Sequence, residues 1–258
     1  MKKCIFTLCA MLLAVSTAWS QPVNVFMIDN FNSATGTAAD SLLDSNGVWT
    51  GLNPGASTLG NYRVIGNYLQ EVIPPPSGPY NNSSKVISSV FSISNPADTR
   101  SSAQIIWQGS DTVPNNDPIL THPVSFNLGS VNFDTLLATS NFYFKWSVIN
   151  ADTRDWVYTI RAYTTDSSNY FEASLVSNLS GGDLSIPKSA FVPVGNPNWS
   201  DVDALSFSAS YDGALGGDLA FDNVRLAVPE PSSYLMILGT ASVVGCYYYR
   251  KRRKVVIS

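Results

Sequence analysis

Along residues 141–148, apolar Phe142, Phe144, Trp146 and Val148 alternate with Tyr143, Lys145 and Ser147. A period of two places the first set on one face of a strand and the second set on the other. The same alternation runs through Trp156, Tyr158, Ile160 and Ala162 against Val157, Thr159, Arg161 and Tyr163. It recurs in Leu205, Phe207, Ala209 and Tyr211 against Ser206, Ser208 and Ser210. Further strands are predicted at 23–28, 61–65, 68–73, 86–93, 103–108, 123–128, 170–176 and 218–227. Turn-forming residues separate them: Gly66-Asn67, Pro74-Pro75-Pro76-Ser77-Gly78, Asn95-Pro96, Gly181-Gly182-Asp183 and Gly216-Gly217-Asp218. The one helical reading is a turn or two near Thr37 to Leu43. About ten short strands with polar turns predict an all-β domain, a single β-sandwich spanning 21–227.

The last predicted strand changes phase. Leu219 and Phe221 share one face, whereas Val224 and Leu226 share the other. The slip at Asp222-Asn223 predicts a bulge or a residue turned toward a ligand.

The two ends of the chain follow other rules. Residues 1–20 combine Lys2 and Lys3, an apolar run from Cys4 to Val15, and Ala18-Trp19-Ser20. That order is a secretory signal peptide cleaved before Gln21. Near the other end, Ser232 to Tyr249 is uncharged and mostly apolar, long enough for one transmembrane helix. Tyr247, Tyr248 and Tyr249 then precede Arg250, Lys251, Arg252, Arg253 and Lys254. Interfacial aromatics followed by a basic cluster place that cluster in the cytoplasm and residues 21–229 outside.

Charge sharpens this division. Only 13% of the 258 residues are charged, against about 25% in ordinary soluble domains. Residues 21–229 carry 18 acids and eight cations. An acidic middle lacks the basic face that phosphate contacts require, so a nucleic-acid partner is excluded. The three cysteines are Cys4, Cys9 and Cys246. All lie outside the folded middle, which therefore has no disulfide, thiol nucleophile or Cys-ligated metal.

Val228-Pro229-Glu230-Pro231-Ser232 stands directly before the apolar span. Two prolines around a glutamate remove backbone donors and hold the segment extended, unable to join a sheet or begin the helix early. Pro-Glu-Pro, apolar span and basic terminus, in that order over residues 228–254, closely resemble the PEP-CTERM sorting signal of bacteria. The resemblance implies an exported protein held in the inner membrane by its C-terminal helix. It implies recognition of Pro229, Glu230 and Pro231 by an exosortase, and delivery to the cell surface or extracellular matrix.

A second resemblance concerns the middle. An opening Asp29-Asn30-Phe31, a late Asn198-Trp199-Ser200-Asp201-Val202-Asp203 and a closing Phe221-Asp222-Asn223-Val224-Arg225-Leu226 are similar to jelly-roll ectodomains of sorted proteins. They also look like carbohydrate-binding modules of galactose-binding-like fold. That resemblance implies pairing of the first and last strands. It also implies a structural calcium ion held by Asp29 and Asp222, with Asn30 or Asn223 as lesser candidates; calcium prefers such oxygen ligands.

Catalytic chemistry finds little here. His122 is the only histidine, so a zinc site lacks ligands, and no Gly-x-Ser-x-Gly elbow accompanies it. Glu71 and Glu172 are the only glutamates of the folded region, and their spacing singles out no glycosidase pair. The expectation is a non-enzyme with a structural or adhesive role. The alternative is a carbohydrate-binding module that recognises exopolysaccharide. Trp146 and Trp156 belong to apolar faces, whereas Trp49 and Trp199, in Gly/Asn/Pro-rich surroundings, are the candidate stacking platforms. Tyr143 and Tyr163, facing away from the apolar stripes, are candidate contributors.

Overall fold

The computed structural model describes residues 25–40, 47–72, 82–97, 99–114, 122–137, 141–152, 155–211 and 216–228. The leader, the 74–78 turn, and the sorting motif, apolar span and basic cluster from Pro229 onward lie outside them. The chain divides into two units, Met1–Val228 and Pro229–Ser258. Among the described residues no helix is long and apolar enough to cross a membrane.

Fourteen strands are found among the described residues: β1 (Val25–Asp29), β2 (Gly36–Asp40), β3 (Val48–Leu52), β4 (Arg63–Val72), β5 (Asn82–Ile87), β6 (Val90–Ser94) and β7 (Thr99–Trp107) come first. A four-residue helix α1 (Phe133–Leu136) follows. Then come β8 (Tyr143–Ala151), β9 (Trp156–Tyr163), β10 (Tyr170–Ser177), β11 (Gly182–Pro187), β12 (Val192–Val194), β13 (Ala204–Tyr211) and β14 (Leu219–Ala227). They form two antiparallel sheets. Sheet A runs β11-β8-β14-β6-β5-β2, with β1 also paired to β14; sheet B runs β12-β10-β9-β13-β7-β4-β3. The fold is an all-β sandwich of two antiparallel sheets, as the alternation predicts.

The core lies between the inner faces, and the residues that share a phase in the sequence fill it. Phe142, Phe144, Trp146 and Val148 are buried from sheet A; Trp156, Tyr158, Ile160, Leu205 and Phe207 are buried from sheet B. Aromatic contacts span the two layers. Trp146 lies 5.1 Å from Tyr158 and 5.3 Å from Phe207, ring centre to ring centre, and Phe207 lies 4.9 Å from Phe221. Interlocking rings of this size contribute both area and preferred geometry.

The phase slip in the last strand is a bulge. Against β8, Asp222 faces Ser147 and Arg225 faces Lys145, so β14 uses three steps where its partner uses two. Asn223 absorbs the extra residue at φ 55, a left-handed conformation that asparagine tolerates better than most residues. Leu219 and Phe221 before the bulge and Val224 and Leu226 after it all remain buried.

Several boundaries differ from the sequence reading. Predicted strands 61–65 and 68–73 are one strand, β4, with Gly66-Asn67 inside it. Gly66 serves a close approach there, since a Cβ would stand 2.4 Å from the Trp49 ring. Predicted strand 86–93 is interrupted by a hairpin. Ser88 and Ser89 take φ values of 52° and 68°, the paired left-handed geometry that matches hairpin twist. Residues 123–128 form a loop and no strand: the Gln108 side-chain oxygen accepts the backbone N–H groups of Val124 and Ser125, diverting them from a ladder. Thr37 to Asp40 belong to β2, not to a helical turn; 41–43 lie outside the described residues. β3, β11, β12 and α1 have no counterpart in the sequence reading.

Phe207 joins the core rings of both sheets, so its removal tests the packing. Phe207→Ala is expected to cost about 3–5 kcal/mol in urea unfolding. A loss below about 1 kcal/mol would show that Phe207 does not bridge the layers.

Candidate functional site

The outer face of sheet B carries the richest polar and aromatic chemistry. Cross-strand register sets its rows. Tyr170 on β10 stands opposite Tyr163 on β9, and Glu172 stands opposite Arg161, which in turn faces Ser206 on β13. One step further along, Ser174, Thr159 and Ser208 form a hydroxyl row. That row continues through Gln104 on β7 and Gly66 on β4 to Trp49 on β3.

These side chains engage one another. Arg161 Nε donates to Glu172 Oε2 at 2.6 Å, and its guanidinium lies 5.2 Å from the centre of the Tyr170 ring. The Tyr163 and Tyr170 rings are 5.3 Å apart, with Phe126 edge-on to Tyr163 at 6.0 Å. Thr159 and Ser174 share a 2.8 Å hydrogen bond. Burial raises the Tyr163 phenol above its usual range, partly offset by Arg161. Tyr163 is therefore a neutral ring at physiological pH.

A loop frames the face. Gln108 Nε2 donates to the Thr112 carbonyl at 2.6 Å while its oxygen holds Val124 and Ser125. The chain returns with Leu128 N–H on the Asp203 carbonyl. This return brings Phe126 against Tyr163. Half-buried Tyr170, Arg161 and Glu172, beside exposed Ser174, leave ring and hydrogen-bonding edges at the surface. Rings that bury apolar faces beside neutral and ion-paired polar groups suit a sugar, whose pyranose faces are apolar and whose rim is hydroxylated.

The outer face of sheet A differs. It presents Lys145, Ser147 and Ile149 from β8, Ser92 and Ser94 from β6, and Asp183 and Ser185 from β11. Arg225 Nη2 bonds Asp183 at 2.6 Å and its Nη1 bonds Ser147 at 3.2 Å. Tyr143 lies on this face, so the two candidate tyrosines are on opposite sides of the sandwich.

Trp199 is not a platform. It is only 8% exposed and stacks on Phe171 at 4.1 Å with rings 8° apart. Phe142 and Phe191 pack edge-on around it at 5.4 and 5.3 Å. Lys188 lies 5.6 Å above the indole and is ion-paired to Asp134. Gly, Asn and Pro neighbours mark a loop, but a loop can still fold its tryptophan into the core. Trp49 is half-buried, with its ring against Gly66 on the outer face of sheet B.

Register sets Asp29 opposite Val224, two residues from Asp222, and the Asp29 charge helps raise the Asp222 carboxyl. The main cause of that rise is burial, with the Asn223 N–H and Arg225 pulling the other way. Yet a calcium ion does not fit the residues around Asp29. Its carboxylate accepts two bonds from Arg63 Nη1 at 2.7 and 2.8 Å. It also accepts Trp107 Nε1 at 3.0 Å and the Phe31 N–H at 2.8 Å. Four bonds fill the roughly four lone-pair sites of a carboxylate. Asp222 holds its neighbour Asn223, through N–H at 2.5 Å and Nδ2 at 2.7 Å. Neither Asn30, which caps Asn32, nor Asn223 adds an oxygen toward Asp29. Among the described residues no three His, Cys, Asp or Glu side chains converge on a metal site.

The glutamates are also placed. Glu71 pairs with Arg100 at 3.0 Å and Glu172 with Arg161. Register puts Glu172 in the row of Ile106 and Glu71 in the row of Arg100. Six residues of β7 separate those rows, about 20 Å. Paired glycosidase carboxylates stand about 5–9.5 Å apart, so these two do not form such a pair. His122 is exposed, and its Nδ1 lies 3.4 Å from the Pro123 carbonyl.

Comparison with known proteins adds two findings. Residues 227–254 match the PEP-CTERM protein-sorting motif. The folded region is structurally similar to the family 11 carbohydrate-binding module of cellulosomal cellulase Lic26A-Cel5E of Clostridium thermocellum: 11% identity, TM-score 0.36, covering 81% of this chain and 97% of that one. It is similar also to the family 30 module of cellulase Cel9D-Cel44B of the same organism, at 14% identity and TM-score 0.37, covering 80% and 99%. The agarase AgWH50C matches at 10% identity and TM-score 0.39, over 80% of this chain and 25% of that one. No curated protein matches in sequence.

Because burial holds the Asp222 carboxyl above its ordinary value of 3.8, the folded state prefers it protonated. Its ionised form costs stability at neutral pH, and that cost disappears below 3.8. Asp222→Asn is expected to melt slightly higher than the unmodified protein at pH 7, with the gap closing near pH 3. Equal melting temperatures at both pH values would contradict this reading.

Proposed function

We propose that this chain is an exported bacterial surface or extracellular-matrix protein, sorted through its C-terminal tail, with a structural or adhesive role. The observation that carries the reading is the sorting motif at residues 227–254. Its position fits: β14 ends at Ala227, and Pro229-Glu230-Pro231 follows with one residue between. On this reading Pro229, Glu230 and Pro231 are read by an exosortase. Arg250 to Lys254 stop transfer at the cytoplasmic side, and the apolar span anchors the precursor in the inner membrane. The protein then reaches the cell surface. Glu230→Ala is expected to leave a full-length protein in the inner-membrane fraction, on immunoblots of fractionated cells. Processing and release equal to the unmodified protein would sink the proposal.

A second reading rests on the outer face of sheet B. Tyr170 and Phe126 supply half-buried rings there, backed by the fully buried Tyr163, and Arg161, Glu172 and Ser174 supply hydrogen-bonding groups. We infer that this face binds a neutral exopolysaccharide at its half-buried Tyr170 edge; the Thr159, Ser208 and Gln104 positions that lead from there toward Trp49 are buried. The acidic middle of the chain would repel a polyanion, which favours an uncharged glycan. The folded unit, residues 21–228, is tested for retention on the organism's own matrix polysaccharide. Tyr170→Ala is expected to weaken retention about tenfold, a loss of about 1.4 kcal/mol. Tyr143→Ala, on the other sheet, leaves it unchanged. Equal retention of Tyr170→Ala and the unmodified unit would remove the reading.

A further inference from the structure

The Arg63 side chain ends inside a cage of oxygens. Its Nη1 bonds both carboxylate oxygens of Asp29, at 2.7 and 2.8 Å. Its Nη2 bonds the carbonyl of Ala34 at 2.8 Å and also the carbonyl of Ser33. Arg63 and Asp29 are both fully buried. The loop that supplies the carbonyls is bent for the purpose: Phe31 and Ala34 both take φ 54, a conformation that non-glycine side chains rarely adopt. Such strain persists where the surrounding structure enforces it, and here it aims two carbonyls at one positive centre. The Phe31 ring closes the site, 5.1 Å from the guanidinium carbon.

Carboxylate and backbone carbonyl oxygens together are the donor set that hard divalent cations take.

We propose that Arg63 is the built-in cation of this cage. It makes the corner between β1 and β4 independent of metal, and the cage accepts a divalent ion once the guanidinium is removed. The guanidinium fills the space and the lone pairs that calcium would use, so ion and side chain exclude each other.

The test uses residues 21–228, which contain all fourteen strands and the core cluster. Thermal melts are recorded in EDTA and in millimolar calcium chloride, with calcium titrated by calorimetry. The unmodified unit is expected to melt at the same temperature in both and to give no saturable calcium heat. Arg63→Ala is expected to melt about 10 °C lower in EDTA. Calcium then restores most of the loss and binds with one-to-one stoichiometry. The double variant Asp29→Asn/Arg63→Met removes both charges and is expected to show no calcium effect. A rise of several degrees for the unmodified unit in calcium would overturn the proposal, because Arg63 would then not exclude the ion. So would an Arg63→Ala protein indifferent to calcium, or one insoluble with and without it while the double variant folds.

Discussion

The left-handed residue Asn223 lets β14 pair through residues 219–221 with β6 and through 224–227 with β1, while β8 stays on its other side. A regular strand could not do this without turning Val224 and Leu226 out to solvent, because a one-residue slip reverses every side chain. The bulge adds the one residue that keeps both halves facing inward. Sheet A depends on that step, since among the described residues β14 joins its β6-β5-β2 side to its β8-β11 side. The first and last described strands are thereby zipped together, with Val25 opposite Ala227.

A second constraint crosses between the layers. β1 belongs to sheet A and β4 to sheet B, and the Arg63–Asp29 pair joins them, with Trp107 of β7 donating to the same carboxylate. A buried pair is weak evidence for net stability, because both charges lose their hydration. Its value is in specification. Four hydrogen bonds on one carboxylate and four on one guanidinium leave few alternative positions for the 30–35 loop. Asn67, Ser101 and Asn95 form a further buried chain at 3.3 and 2.5 Å, so the interior is directional at this side of the sandwich and apolar on the β8 side.

The two outer faces then divide the chemistry. Sheet A shows serine, lysine and ion-paired arginine, a solvated surface. Sheet B shows rings beside hydroxyls and a half-buried ion pair, framed by the loop that Gln108 holds. The chain carries a sorting motif at residues 227–254, and the rings of its surface chemistry lie on one sheet face.

Alternation along β8, β9 and β13 fixed which side chains point inward, because strand period depends only on local geometry. The phase slip at Asp222-Asn223 was legible for the same reason, as was the sorting motif, which is a linear signal. Pairing was not. Gly66 reads as a turn until Trp49 of another strand is seen lying over it, and Ser88-Ser89 gives no turn signal although its backbone makes one. Trp199 looks like a loop residue, but Phe171 of β10 and Phe142, just before β8, arrive from distant parts of the chain to cover it. Asp29 looks like a metal ligand until Arg63, 34 positions away, supplies the positive charge. Sequence determined the faces, the phase and the sorting motif, since each is written in neighbouring residues. Only the tertiary structure decided which charges meet and which rings are covered, because those depend on strand register between segments far apart in the chain.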